Sequence, residues 1–126
     1  MGHLAFGRRA EWLALVLLLV KGYRPRHRNW RGAGGELDLV VERGGEIIFV
    51  EVKARASELF GGAVAAVDAA KRRHLIRASS AYLSRFDLWD RPCRFDILAI
   101  ERTDSFPFWR VQHLKNAFQT EVGRSM

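Results

Sequence analysis

A single cysteine, Cys93, is the whole thiol content of this chain. No disulfide framework and no multi-cysteine zinc site can form within it, which points to a reducing compartment. Histidine is sparse as well. His3, His27, His74 and His113 are scattered and make no HExxH pair, so zinc-hydrolase chemistry has no support. Long apolar runs are missing: the longest, Leu13 to Val20, falls far short of the roughly 20 residues needed to cross a bilayer. Arg8, Arg9 and that run imitate a signal peptide, but Val20-Lys21-Gly22-Tyr23 offers no small-residue cleavage site. The reading is a buried helix in a cytoplasmic protein with no membrane partner. Gly32, Gly34 and Gly35 precede a strand instead of opening a helix, the wrong context for a dinucleotide or P-loop site. Repeats and Ser/Pro linkers are absent too, so residues 1–126 read as one domain, with a core over about 7–118 and a flexible tail at 119–126.

Acidic residues are scarce in the first quarter. Of the net charge of +7, residues 1–35 hold +6, from seven Lys/Arg against Glu11 alone. Such asymmetry suggests a polyanion partner without naming any chemistry. Lys21 to Arg31 interleaves Arg24, Arg26, Arg28 and Arg31 with Tyr23, His27 and Trp30, cations for phosphates and rings for stacking on nucleic acid. The plainer reading is a solvated edge that discourages strand addition.

What is present orders itself as helix, strand, hairpin, helix and two strands, an α/β or α+β fold with mixed strand directions. Ala10 to Lys21 predicts a helix stopped by Gly22, apolar almost all round and hence buried on most sides. Tyr23 to Arg31 reads as an irregular or edge strand because Pro25 cannot donate to a ladder. Glu36 to Glu42 and Glu46 to Lys53 flank Gly44-Gly45, a pair suited to a tight hairpin turn. Val64 to roughly Phe86 predicts a long helix, and Arg94 to Glu101 and Phe108 to Leu114 alternate as strands around a turn at Ser105 to Pro107.

The hairpin carries the chemistry. A two-residue turn sets Leu37 opposite Val52, Leu39 opposite Val50 and Val41 opposite Ile48, an apolar side. On the other side Asp38 meets Glu51 and Glu36 meets Lys53, within the roughly 5 Å of cross-strand neighbours. Carboxylates directly opposed need a cation, a shared proton or full hydration. Mg²⁺ or Mn²⁺ held by Asp38, Glu51 and the backbone carbonyl of Val52 would answer that need, with Lys53 orienting water or stabilising developing charge. The alternative is an amphipathic hairpin with a solvated charged face. Val40, Ile47 and Phe49 on that same side speak against it, and predict a covering helix that leaves the charges in a cleft.

Asp38, a 12-residue gap and Glu51-Val52-Lys53 resemble the bipartite signature of the PD-(D/E)XK, restriction-endonuclease-like superfamily. The longer string of Asn29, Arg31, GELDLV, FVEVKAR, FGGAVAAVDAAKRRHL, CRFDILAIE and HLKNAF resembles the YraN-like family of small bacterial proteins. That family is distantly similar to archaeal Holliday junction resolvases, and the match runs from about Gly7 to Phe118. The resemblance implies a restriction-endonuclease-like core, a mixed sheet flanked by helices. It also implies a nuclease-like site at Asp38, Glu51 and Lys53, supported by Glu36, with Glu11 as an additional carboxylate on the first helix and a further metal ligand. Glu11 is equally explained by the helix dipole. By analogy with two-fold resolvases a homodimer is expected.

On the long helix, Arg73 and Arg77 share an exposed face suited to nucleic-acid backbone, and Lys71, a further candidate phosphate contact, lines up with a stripe that reaches toward the cleft. Asp96 and Cys93 read as structural. The sequence therefore predicts a Mg²⁺- or Mn²⁺-dependent endonuclease acting on nucleic acid, DNA before RNA, in branched or single-stranded form. The competing reading is a nucleic-acid-binding module of the same fold without turnover.

Overall fold

The computed structural model describes residues 2–55 and 69–118. Helix α1 (Gly2–Val20) is followed by β1 (Arg24–Gly32), β2 (Gly35–Arg43) and β3 (Glu46–Arg55). Helix α2 (Ala69–Arg85) then leads into β4 (Cys93–Arg102) and β5 (Trp109–Leu114). The predicted start of the second helix at Val64 and the predicted tail at 119–126 lie outside the described residues. The strands form one sheet in the order β1-β2-β3-β4-β5, antiparallel except where β3 runs parallel to β4. The mixed α/β reading holds.

Strand alternation distributes the core over two layers. Phe49 of β3 and Phe95, Ile97 and Ala99 of β4 pack toward α2 with Leu75, Ala78, Tyr82 and Leu83. Their neighbours Ile48, Val50, Leu98 and Ile100 turn to the opposite face and meet Ala10, Ala14 and Leu18 of α1. The two central strands are thus covered on both faces, the usual condition for a parallel strand pair. Gly44 and Gly45, at φ 60° and 84°, make the predicted hairpin turn.

Helix α1 ends as its sequence demands. Gly22 (φ 95°) takes the left-handed position, its N–H bonding the Leu19 carbonyl at 3.0 Å while the Tyr23 N–H bonds that of Leu18 at 3.0 Å. This is the Schellman arrangement, completed by Tyr23 and Leu18 sharing one core cluster. Burial on most sides of α1 is not what forms. Among its described side chains, from Arg9 on, only the stripe Ala10, Ala14 and Leu18 is fully buried, while Trp12, Val16, Leu19 and Val20 are exposed. The sheet offers α1 one face, and none of the described elements packs on its other side. None of the described helices is long and apolar enough to cross a membrane.

The edge strand β1 is irregular, as Pro25 suggested, with a register shift between Pro25 and His27. A second irregularity reaches the site. Asn29 adopts φ 55°, and beyond it the pair Trp30 and Leu37 turns toward α2. The predicted pairing of Leu37 with Val52 therefore fails: Val52 packs on the α1 face, and the β2–β3 register ends at Leu39 and Val50.

Asp96, fully buried on β4, accepts four hydrogen bonds from three of the described residues. They come from Arg94 Nε (2.9 Å) and Nη2 (3.1 Å), the Asn116 N–H (2.9 Å) and His113 Nε2 (2.7 Å). Lys21 Nζ lies 3.1 Å from His113 Nδ1. An ammonium only donates, so Nδ1 accepts and the ring proton sits on Nε2, facing Asp96. Burial opposes the Asp96 charge, but the bonds from His113, Arg94 and Asn116 outweigh it and hold the carboxyl below its ordinary range. The structural role read for Asp96 is thereby given its partners.

Two substitutions separate these features. Gly22→Ala should cost about 1 kcal/mol, the strain of a left-handed alanine. Asp96→Ala leaves Arg94 to Glu46 and Tyr23 but takes the acceptor from the buried His113 Nε2 and from the Asn116 N–H, and should cost about 3 kcal/mol or more. Urea denaturation of each variant beside the wild type measures both, and equal losses would contradict this ranking.

Candidate active site

The site forms where the β2–β3 ladder breaks. Past Leu39 the strand bends, and the Asp38 carboxylate takes over as partner to β3: its Oδ2 accepts the Val52 N–H at 2.9 Å. Glu51 is next along β3, the central strand, only 5% exposed. A carboxylate so buried requires cationic partners. Lys53 Nζ stands 3.6 Å from its Oε2 and Lys71 Nζ, reaching over from α2, stands 3.1 Å from the same oxygen.

Among the described residues Asp38 has no cation in comparable contact, and Lys71 acts on it only weakly. Burial, then the charge of Glu51, push its carboxyl up from 3.8 to about 7, against the Val52 hydrogen bond, and Glu11 adds a further push. Lys71 feels the same field with opposite sign. Burial disfavours its charge, yet Glu51, Asp38 and Glu36 prevail and raise its pKa above the ordinary lysine value. Elements α1, β2, β3 and α2 thus converge electrostatically on one patch.

The sequence-predicted residues divide clearly. Asp38, Glu51 and Lys53 come together, and Glu11 lies near enough to act on Asp38. Glu36 does not meet Lys53 as expected, because the ladder has ended; it pairs across β1–β2 with Arg31 at 3.7 Å. Lys71, read as a phosphate contact, is a partner of Glu51. Arg73 and Arg77 are exposed on α2.

The basic segment is less uniform than its sequence suggests. Arg24, Arg28 and Arg31 are exposed, Arg28 resting 4.4 Å above the Trp12 ring. Arg26 turns inward, bonding Glu42 at 2.9 Å and the Tyr82 hydroxyl at 2.8 Å. The rings expected to stack on bases are occupied inside the protein. Tyr23 is buried, Trp30 meets Tyr82 edge-on at 5.1 Å, and His27 Nδ1 lies 2.7 Å from the Tyr82 hydroxyl. The rings of His27 and Trp30 are better satisfied against Tyr82 and Phe86 than in water, and Tyr23 packs under α1. Cys93 is partly buried, and burial followed by Glu46 pushes its thiol up to about 11, consistent with an unreactive structural residue.

Could Asp38 and Glu51 hold a cation? Among the described residues no three His, Cys, Asp or Glu side chains gather around one point. The donor set is two carboxylates and the Val52 carbonyl, which suits a hard divalent ion that keeps several waters. The proton held by Asp38 up to about pH 7 marks the excess negative charge such an ion would relieve.

Fold and site together define a small mixed α/β domain with a buried acid–lysine centre. Sequence comparison makes this particular: the chain belongs to uncharacterised protein family UPF0102, whose model matches residues 10–100. This bears out the YraN-like resemblance. A UPF0102 protein of Pseudomonas putida (strain W619) is 43% identical over 115 residues, covering 90% of this chain and 92% of that one. Another from Pseudomonas aeruginosa (strain LESB58) is 39% identical over 113 residues, 89% of this chain and 90% of the relative. A relative from Oleidesulfovibrio alaskensis is 43% identical over 98 residues; the match takes in 78% of this chain but 48% of that longer protein.

A pH signature follows for Asp38. Its folded pKa of about 7 exceeds the ordinary 3.8, so between these values the native state binds the extra proton. Its contribution to stability is full in acid and falls as pH rises from about 4 to about 7, by up to about 4 kcal/mol. Asp38→Asn should abolish that fall. Urea midpoints from pH 4 to 8 in EDTA would show the variant gaining on the wild type; parallel profiles would refute the buried, Glu51-coupled Asp38.

Proposed function

We propose that this chain is a Mg²⁺- or Mn²⁺-dependent endodeoxyribonuclease that hydrolyses phosphodiester bonds, with branched or single-stranded DNA as the favoured substrate. The observation that carries this reading is the meeting of Asp38 and Glu51 at the ladder break, with an ammonium group at 3.6 Å on the same strand. The PD-(D/E)XK resemblance of Asp38 and Glu51-Val52-Lys53, and the likeness to junction resolvases, support it. So does the excess charge of residues 1–35.

Asp38, Glu51 and the Val52 carbonyl would hold the divalent ion, which supplies an acidified water and a polarised phosphate when bound. Lys53, partly open to solvent beside Glu51, steadies the charge that builds on the phosphate oxygens. Glu11 keeps the field at Asp38 negative. Exposed Arg24, Arg28 and Arg31 hold the backbone, Arg73 and Arg77 offer a second contact face, and a homodimer would match a two-fold junction.

One observation favours a second reading, a nucleic-acid-binding module without turnover: Lys53 and Lys71 already neutralise Glu51. Purified protein should be assayed on branched, single-stranded and duplex DNA with and without Mg²⁺. Glu51→Ala and Lys53→Ala should each reduce cleavage by about 100-fold or more. Cleavage unchanged in both variants would sink the enzyme reading. Binding that persists in them but loses affinity and salt slope when Arg24, Arg28 and Arg31 become Gln would favour the module.

A further inference from the structure

Beside the acid–lysine centre, the β1–β2 turn and α2 enclose an open groove of ≈ 520 Å³ lined by Arg31, Gly32, Gly34, Gly35, Lys71 and His74. That volume lies within the usual range for small-ligand sites, roughly 300–1,000 Å³. One wall carries no side chains. Ala33 (φ 53°) and Gly34 (φ 77°) turn the backbone through the left-handed region, and a Cβ on Gly34 would meet nothing within 4 Å. A ligand can therefore approach the main chain at this turn. The depth is fixed by Gly35, where a Cβ would stand 2.8 Å from the His74 carbonyl oxygen and 3.1 Å from Ala78. β2 and α2 touch there, backbone to backbone.

The chemistry of the lining selects the ligand. In the described lining Arg31 and Lys71 stand with one acid, Glu36, which pairs with Arg31, while Lys71 reaches Glu51 outside that lining. The nearby aromatic, Trp30, packs into the core below Gly32 and is not part of the lining. Among the described residues the recess offers cations, a bare backbone wall and no aromatic platform, which suits a phosphate group, not a base. Lys71 belongs to both places, since it lines the groove and its Nζ bonds Glu51 at 3.1 Å.

We infer that the groove is a subsite for a backbone phosphate of a nucleic-acid strand, and that Lys71 is shared between it and Glu51. With the groove empty Lys71 neutralises the buried carboxylate. With a phosphate in place Lys71 turns to it, leaving Glu51 to Lys53 and open on the side Lys71 covered. This inference rests on the nucleic-acid reading above and adds an order of events: strand before ion. Lys71 is a positioning residue in this scheme.

The test titrates the full chain, in EDTA, with a thymidine trinucleotide carrying a 5′-phosphate, followed by ¹H–¹⁵N NMR and calorimetry. Amides of Gly34, Gly35 and His74 should shift together. Lys71→Gln and Arg31→Gln should each weaken binding about fivefold, while Lys71→Arg retains it. Glu51→Gln should tighten binding severalfold, because Lys71 loses its carboxylate; a merely structural Lys71 would not respond this way. Arg31 is exposed, so its variant reports on the groove without disturbing the fold. Shifts confined to other surfaces, or wild-type affinity in both Lys71→Gln and Glu51→Gln, would overturn the inference. EDTA prevents cleavage, so the groove can fail while Glu51-dependent cleavage stands. Conversely, the groove can hold in a protein that cleaves nothing.

Discussion

The buried carboxylate of Glu51 constrains everything around it. An acid 5% exposed on the central strand is tolerable only with compensating charge at close range. Two ammonium groups arrive from different directions, Lys53 along β3 and Lys71 from α2, so the side of the domain facing α2 is fastened to the sheet by charge as well as by packing. Asp38 lies just outside this compensation. It is close enough to feel Glu51, and resolves the conflict by retaining its proton to about pH 7. An apolar pair at these positions would serve the fold better. Keeping two acids and two lysines here is what directs attention to chemistry.

The geometry that brings Asp38 to this place is a fault in the sheet, not the regular ladder. With the hairpin register continued, Asp38 would be one more cross-strand neighbour of Glu51. Instead Asn29 takes φ 55°, Trp30 and Leu37 swing into the α2 layer, and the Asp38 carboxylate, not the main chain, receives the Val52 N–H. A side chain has replaced a ladder bond. The same bend carries Gly32 to Gly35 against α2 and opens the groove above Lys71.

The sequence exposed those features that depend on period and spacing. Alternation in β3 and β4, the Gly44-Gly45 turn, the Gly22 stop and the irregular edge strand all form as read. The pair Glu51 and Lys53, two residues apart on one strand, needed no tertiary knowledge to be placed on one face. What was hidden depends on a single left-handed residue and on distant partners. Asn29 is the kind of residue that tolerates φ above zero, but nothing in YRPRHRNWR marks it over its neighbours, so the pairings of Leu37 and Glu36 were misplaced. Composition alone could not show that Arg26, His27 and Trp30 surround Tyr82, since the tyrosine lies 56 positions from Arg26. The apolar circumference of α1 could not reveal that the sheet covers only one side.

Asp96 links parts of the chain that are made at different times. Arg94 sits two positions away, so β4 emerges carrying its own counter-charge. His113 and Asn116 come 17 and 20 positions later, and through His113 the network reaches Lys21 at the end of α1, 92 positions earlier. A chain lengthening from its amino terminus therefore has α1 and the hairpin long before it has the residues that finish the Asp96 cluster. Contacts of such separation close slowly, because the loop between them must first be ordered. The sheet's last edge is thus what closes the network, and until β5 docks, the end of α1 is tied to the sheet by packing and by the bonds from Arg43 to the Lys21 carbonyl (3.0 Å) and from Arg94 to the Tyr23 hydroxyl (2.9 Å).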